Sequence, residues 1–113
     1  MKVLITGNWL YDEIIIPPPT QWTWPITEVI GMRMSCCDRE VREWCERHGV
    51  KHTEFIIGGG NSPIYTLDQL NETVVKAADA AVFFFNGYSN GRIGELIKTF
   101  QATGKPRHIF TGR

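Results

Sequence analysis

A chain of 113 residues can bury one modest core and is short for two, so a single domain spanning residues 1–113 is expected. Its 12 basic and 12 acidic side chains cancel, which leaves no electrostatic footprint for duplex nucleic acid or an anionic membrane. Three cysteines, Cys36, Cys37 and Cys45, fit neither a disulfide framework nor C-x-x-C zinc spacing, and no segment has signal-peptide character or the roughly 20 apolar residues that span a bilayer; reduced thiols in a soluble, cytoplasmic protein are expected.

The chain opens with "KVLITG", a short β-branched run ending in glycine that reads as a buried strand. The next segment, residues 8–26, contains prolines 17, 18 and 19, whose fixed dihedrals and missing donors forbid a regular helix, so the first crossover is expected to be irregular and proline-rich. A second strand is expected at "TEVIG", residues 27–31. Then "SCCDREVREWCERHG" reads as a helix: Ser35 and Asp38 have capping-box spacing, Val41, Trp44, Cys45 and His48 form one stripe, and Gly49 can close it. The third strand begins "KHTEF" and runs toward three glycines.

In "TLDQLNETVVKAAD", Thr66 and Gln69 again match capping spacing, with Leu67, Leu70, Val74 and Ala78 on one face. "AAVFFF" is the fourth strand and "RHIFTG" the fifth. Between them a helix from about Gly91 to Thr103 presents Ile93, Leu96, Ile97 and Phe100, and stops at "GKP". Alternation of buried strands and amphipathic helices predicts an α/β, Rossmann-like three-layer domain with a parallel sheet of about five strands.

The exit from the fourth strand, "NGYSNGRIGEL", is the stretch richest in chemistry. Beyond the carboxyl ends of parallel strands, loops diverge and helix N-termini point inward, which is where such sheets bind ligands. Gly87 and Gly91 permit close backbone approach; Ser89 or Asn90 can cap the helix; Arg92 supplies a fork suited to phosphate; Glu95 lies one turn in. An ordinary polar turn before a well-capped helix accounts for the same spacing. "GGGNSP" lacks the following Lys-Ser/Thr pair and the early helix of a P-loop.

"GRIGE" resembles the G-T-x-x-E pattern of the SLOG superfamily, related to the Lonely Guy phosphoribohydrolases and nucleoside 2-deoxyribosyltransferases, with Arg92 in place of threonine. "KVLITGNW" is similar to the "ITGSR" opening of the YspA-like SLOG branch. "VIGMRMSCCDREVREWCERHGV" resembles that branch's "VIHGGARGADRLAEEWAKRHGI" type of segment, with Asp38 and Trp44 matching. "LNETVVKAADAAVFFFNGYSNGRI" resembles its "RNEEMVKLADAVVAFWDGKSRGT" type, with Asn71, Ala78, Asp79 and Gly91 in place. The likeness covers most of residues 1–6 and 29–109. The departures are specific: "GMRMSCCD" lacks the inner glycines of the family's "GGARGAD" loop, Leu70 stands where the family has arginine, and Asn8 and Trp9 replace its serine and arginine.

The resemblance implies a nucleotide-derived ligand held by residues at matching positions. These are Gly7, Asn8 and Trp9 after the first strand, Arg33 and Asp38 after the second, and Asn71 on the second helix. Asn86, Gly87, Tyr88, Ser89, Asn90, Gly91, Arg92 and Glu95 follow the fourth strand. In the cleaving relatives a glutamate at the place of Glu95 handles the ribose, and a carboxylate suits an oxocarbenium-like sugar. A solvated first-turn glutamate favoured by the helix dipole explains the residue as well.

Trp9, Trp22, Trp24 and Tyr88 could stack on a base, or the proline-rich loop could pack on the core or on a subunit interface; packing is the reading for one of Trp22 and Trp24. His48, His52 and His108 lack metal spacing, so no metal and no cofactor are expected.

Two functions follow. The first is binding of an ADP-ribose-like or cyclic nucleotide signal, for sensing or for sequestration of an immune signal, since the branch occurs in phage and in bacterial defence settings. The alternative is an N-ribosyl hydrolase or transferase using Glu95. A DNA-contacting role, as in the recombination-mediator branch, is disfavoured by the neutral charge, and a homo-oligomer is expected from the number of tryptophans and from relatives.

Overall fold

The computed structural model describes residues 1–7, 24–32, 38–57, 64, 66–85 and 92–111. Five strands, β1 (Lys2–Gly7), β2 (Glu28–Met32), β3 (Lys51–Phe55), β4 (Ala80–Phe85) and β5 (Arg107–Thr111), form one all-parallel sheet in the order β3-β2-β1-β4-β5. Three helices connect them: α1 (Asp38–His48), α2 (Leu67–Ala77) and α3 (Arg92–Gln101). The architecture is the expected Rossmann-like α/β domain. The proline-rich crossover, apart from its end at residues 24–26, and the Ser35 cap lie outside the described residues.

The central strands are continuously apolar because both faces of the sheet are covered. On one face Val3, Ile5, Val29, Ala80, Val82 and Phe84 pack with Val41, Trp44 and Cys45 of α1. On the other, Leu4, Ile30, Met32, Ala81 and Phe83 pack with Leu70, Val74 and Val75 of α2 and Ile93, Leu96, Ile97 and Phe100 of α3. The chain steps outward from β2 to β3 and then returns across β1 to β4. Crossovers of one hand must therefore change face at that return, which puts α1 opposite α2 and α3.

Each fully buried large side chain contributes about 1.5–3 kcal/mol. The edge-to-face pair Phe83–Phe100, with centroids 5.8 Å apart, adds about 1 kcal/mol.

Two positions in the expected stripes come out differently. His48 is exposed rather than turned to the sheet, because it sits on the last residue of α1 beyond the covered strands, its ring 4.9 Å from that of Trp44. Leu67, the first residue of α2, is 37% exposed, and Val75 takes the buried place instead. The helix ends that are described behave as expected. Thr66 and Gln69 form a reciprocal capping box with both bonds at 3.1 Å, and Gly49 (φ 62°) and Gly104 (φ 73°) adopt the left-handed conformation just past α1 and α3.

Candidate functional site

The strand order turns back between β1 and β4. β1 has β2 on one side, where its own crossover leads, and β4 on the other, which continues to β5. The two exits start side by side, since Gly7 is in register with Phe84. Such a switch point opens a crevice at the carboxyl edge of an open α/β sheet, and it is where ligands bind in this architecture.

Gly7 is required by packing. A Cβ there would run into the carbonyl oxygen of Phe84 and lie 2.7 Å from its Cβ, so any side chain would push the two strands apart. The preceding residue, Thr6, is completely buried on the α2–α3 side of the sheet, and its Oγ1 has no hydrogen-bond partner among the described residues. A buried hydroxyl left without a partner costs about 1–3 kcal/mol, so its retention at the switch point is a chemical signal. Thr6 went unnoticed in the sequence because it sits within an apolar run, where a threonine reads as an ordinary β former.

α3 begins at Arg92, seven residues after Phe85 in sequence, and packs through Ile93 and Leu96 on the face that Thr6 shares. Its N-terminal N–H groups therefore lie at the carboxyl edge. α1 begins at Asp38 at the same edge, on the opposite face. Its Glu40 Oε2 and Trp44 Nε1 are also buried without partners among the described residues. The α2 N-terminus is closed by its own capping box.

The structure thus brings Gly7, the start of α1 at Asp38 and the start of α3 at Arg92 to one edge of the sheet. Asn71 lies on the second turn of α2, half-buried. Glu95 is on the first turn of α3, with 61% of its side chain exposed and its Oε1 3.6 Å from Lys98 Nζ. Asn8, Trp9, Arg33, Asn86, Gly87, Tyr88, Ser89, Asn90 and Gly91 lie outside the described residues, as do Trp22 and "GGGNSP". Trp24 packs against the α1-side core, its ring 5.1 Å from His108.

Other titratable groups serve the scaffold. Burial, with Glu46 nearby, pushes the Cys45 thiol up to about 11, which makes it inert at neutral pH. On the outer strand β3, Glu54 meets Arg42 of α1 at 3.2 Å and His52 at 3.9 Å. Burial holds His52 below its ordinary value against the pull of Glu54. Among the described residues no group of three or more His, Cys, Asp or Glu side chains gathers to hold a metal ion, and no helix is long and apolar enough to cross a membrane. No protein-family model, curated protein or solved structure matches the chain.

Proposed function

We propose that the chain binds a nucleotide-derived small molecule, ADP-ribose-like or a cyclic nucleotide, in the β1–β4 crevice, and holds it for sensing or sequestration. The observation that carries this reading is the switch point itself, where the glycine-tight β1–β4 exit stands beside an unpartnered buried hydroxyl at Thr6. The α3 N-terminus at the same edge suits a phosphate, with Arg92 in its first position. The resemblance to the YspA-like SLOG branch supports the ligand class, and the parallel sheet order is compatible with it.

Binding without turnover is favoured over N-ribosyl cleavage by the state of Glu95. A carboxylate that steadies an oxocarbenium-like sugar works best shielded from water, whereas Glu95 is largely exposed and paired with Lys98. The test is to incubate the protein with nucleotides and cyclic ADP-ribose isomers, remove unbound material, denature, and analyse what is released. Intact ligand supports binding; a free base, abolished by Glu95→Gln, establishes the cleavage reading instead; no retained nucleotide overturns both. Self-assembly belongs to the same proposal and is read by light scattering with and without ligand.

A further inference from the structure

The α1 side of the carboxyl edge carries a second pair of polar atoms that the fold does not use. Glu40 Oε2 accepts nothing and Trp44 Nε1 donates to nothing among the described residues, although both are buried. They are four residues apart on one helix, so their side chains are neighbours on one face. One is an acceptor and the other a donor, yet they do not bond each other. Burying both costs stability unless a third group satisfies them.

Their position indicates what that group belongs to. Glu40 is the third residue of α1, so it stands at the carboxyl edge, and the residue as a whole is only partly buried. Trp44, 1% exposed, packs in the same cluster as Ile5 and Phe84, the residues of β1 and β4 next to the switch point. A ligand seated in the crevice would have the Thr6 hydroxyl and α3 on one side of the sheet and the Glu40–Trp44 pair on the other.

We propose that Glu40 and Trp44 read a single hydroxyl of the bound ligand, which donates its proton to Glu40 Oε2 and accepts the indole N–H of Trp44. The ligand class this selects is a sugar-bearing nucleotide with its ribose hydroxyls free, discriminated from deoxy analogues. The proposal rests on the crevice reading above and adds the selectivity of that site.

The experiment titrates adenosine 5′-monophosphate, its 2′-deoxy and 3′-deoxy analogues, and inorganic phosphate into wild type, Glu40→Leu and Trp44→Phe by calorimetry. Wild type is expected to prefer the ribonucleotide over one deoxy analogue by about tenfold or more, and each variant to bring that ratio to within about twofold. Phosphate affinity should be unchanged. Ligand-free Glu40→Leu should melt no lower than wild type, since the substitution removes a buried oxygen that has no partner. Should Trp44→Phe fail to fold, Glu40→Leu carries the test.

Equal affinities of wild type for all three nucleotides, discrimination that survives Glu40→Leu, or a ligand-free Glu40→Leu that melts well below wild type would each overturn the pair; the last would make it a structural element. Wild type that binds none of these and also retains no nucleotide or cyclic ADP-ribose isomer in the release assay overturns the crevice reading itself, a result distinguishable because no affinity remains to compare between variants.

Discussion

The two edges of the sheet use their polar groups in opposite ways. At the amino edge several are committed to the fold. Asp79 accepts from the backbone N–H of Lys2 at 2.9 Å while its own N–H donates to the Lys2 carbonyl at 2.7 Å. Thr27 binds the Met1 carbonyl through both its N–H and its hydroxyl. Thr53 donates to Glu28 at 2.7 Å, and that bond, with Lys51 and Lys2 near and against the effect of burial, holds the Glu28 carboxyl below its ordinary value. Lys105 donates to the carbonyls of Val75 and Ala78, both at 2.8 Å, and so satisfies the end of α2. At the carboxyl edge, Thr6 Oγ1 and Glu40 Oε2 are buried with no such partner. In a parallel sheet strand ends and helix N-termini collect at that one edge, which is where the proposed ligand would meet these two side chains.

The largest expected effect comes from breaking the switch point. In Gly7→Ala the new methyl meets main-chain atoms of Phe84, which cannot rotate away, so β1 and β4 must separate at their ends. We expect a loss of at least about 3 kcal/mol in urea denaturation, or failure to fold. Gly31→Ala, in the neighbouring strand, meets the tip of the His52 ring at 2.7 Å and should be milder, because a side chain can yield. Next in size is Lys105→Met at the amino edge. It keeps the aliphatic stem but uncovers two carbonyls at the end of α2, at a cost of about 2 kcal/mol in the same assay. Nucleotide binding should survive it, since α2 ends at the edge away from the crevice.

The two edges also differ in how far the sequence disclosed them. Strands and helices were legible because burial imposes period and composition: "AAVFFF" must be covered on both faces, and Thr66-x-x-Gln69 spells out its own cap. Asp79 stood out only through resemblance, and its bond to Lys2, 77 residues away, depends on which strand lies beside β1. Strand order is not a local property, so neither the location of the switch point nor the identity of Gly7 as a contact with Phe84 can be read from periodicity. Thr6 and Glu40 were hidden for a related reason. A threonine in a strand and a glutamate in the first turn of a helix are what propensity and the helix dipole predict anyway. Only burial without a partner sets them apart.

A smaller effect sharpens the contrast at the carboxyl edge. Thr6→Val replaces the hydroxyl with a methyl of nearly the same size and leaves the branching that suits β1. If the hydroxyl were bonded within the protein the change would cost about 1 kcal/mol. With Oγ1 unpartnered, the ligand-free variant is expected to gain up to about 1 kcal/mol in urea denaturation while its nucleotide affinity falls. Loss of stability together with unchanged affinity would move Thr6 to the same class as Asp79.

The smallest effect is a pH dependence carried by His52, far from the crevice on β3. Burial lowers its folded-state affinity for a proton, opposed by Glu54 at 3.9 Å and reinforced by Arg42. The unfolded chain titrates near the ordinary value of 6.5, so on acidification it binds a proton before the folded state does. The contribution of His52 is therefore complete above pH 6.5 and is lost as the pH falls through the depressed folded value. Urea midpoints measured on either side of that window should decline with acid in wild type and decline less in His52→Gln, with nucleotide affinity unaltered by the substitution. A slope that is the same in both proteins would mean that burial of the imidazole is too shallow to matter.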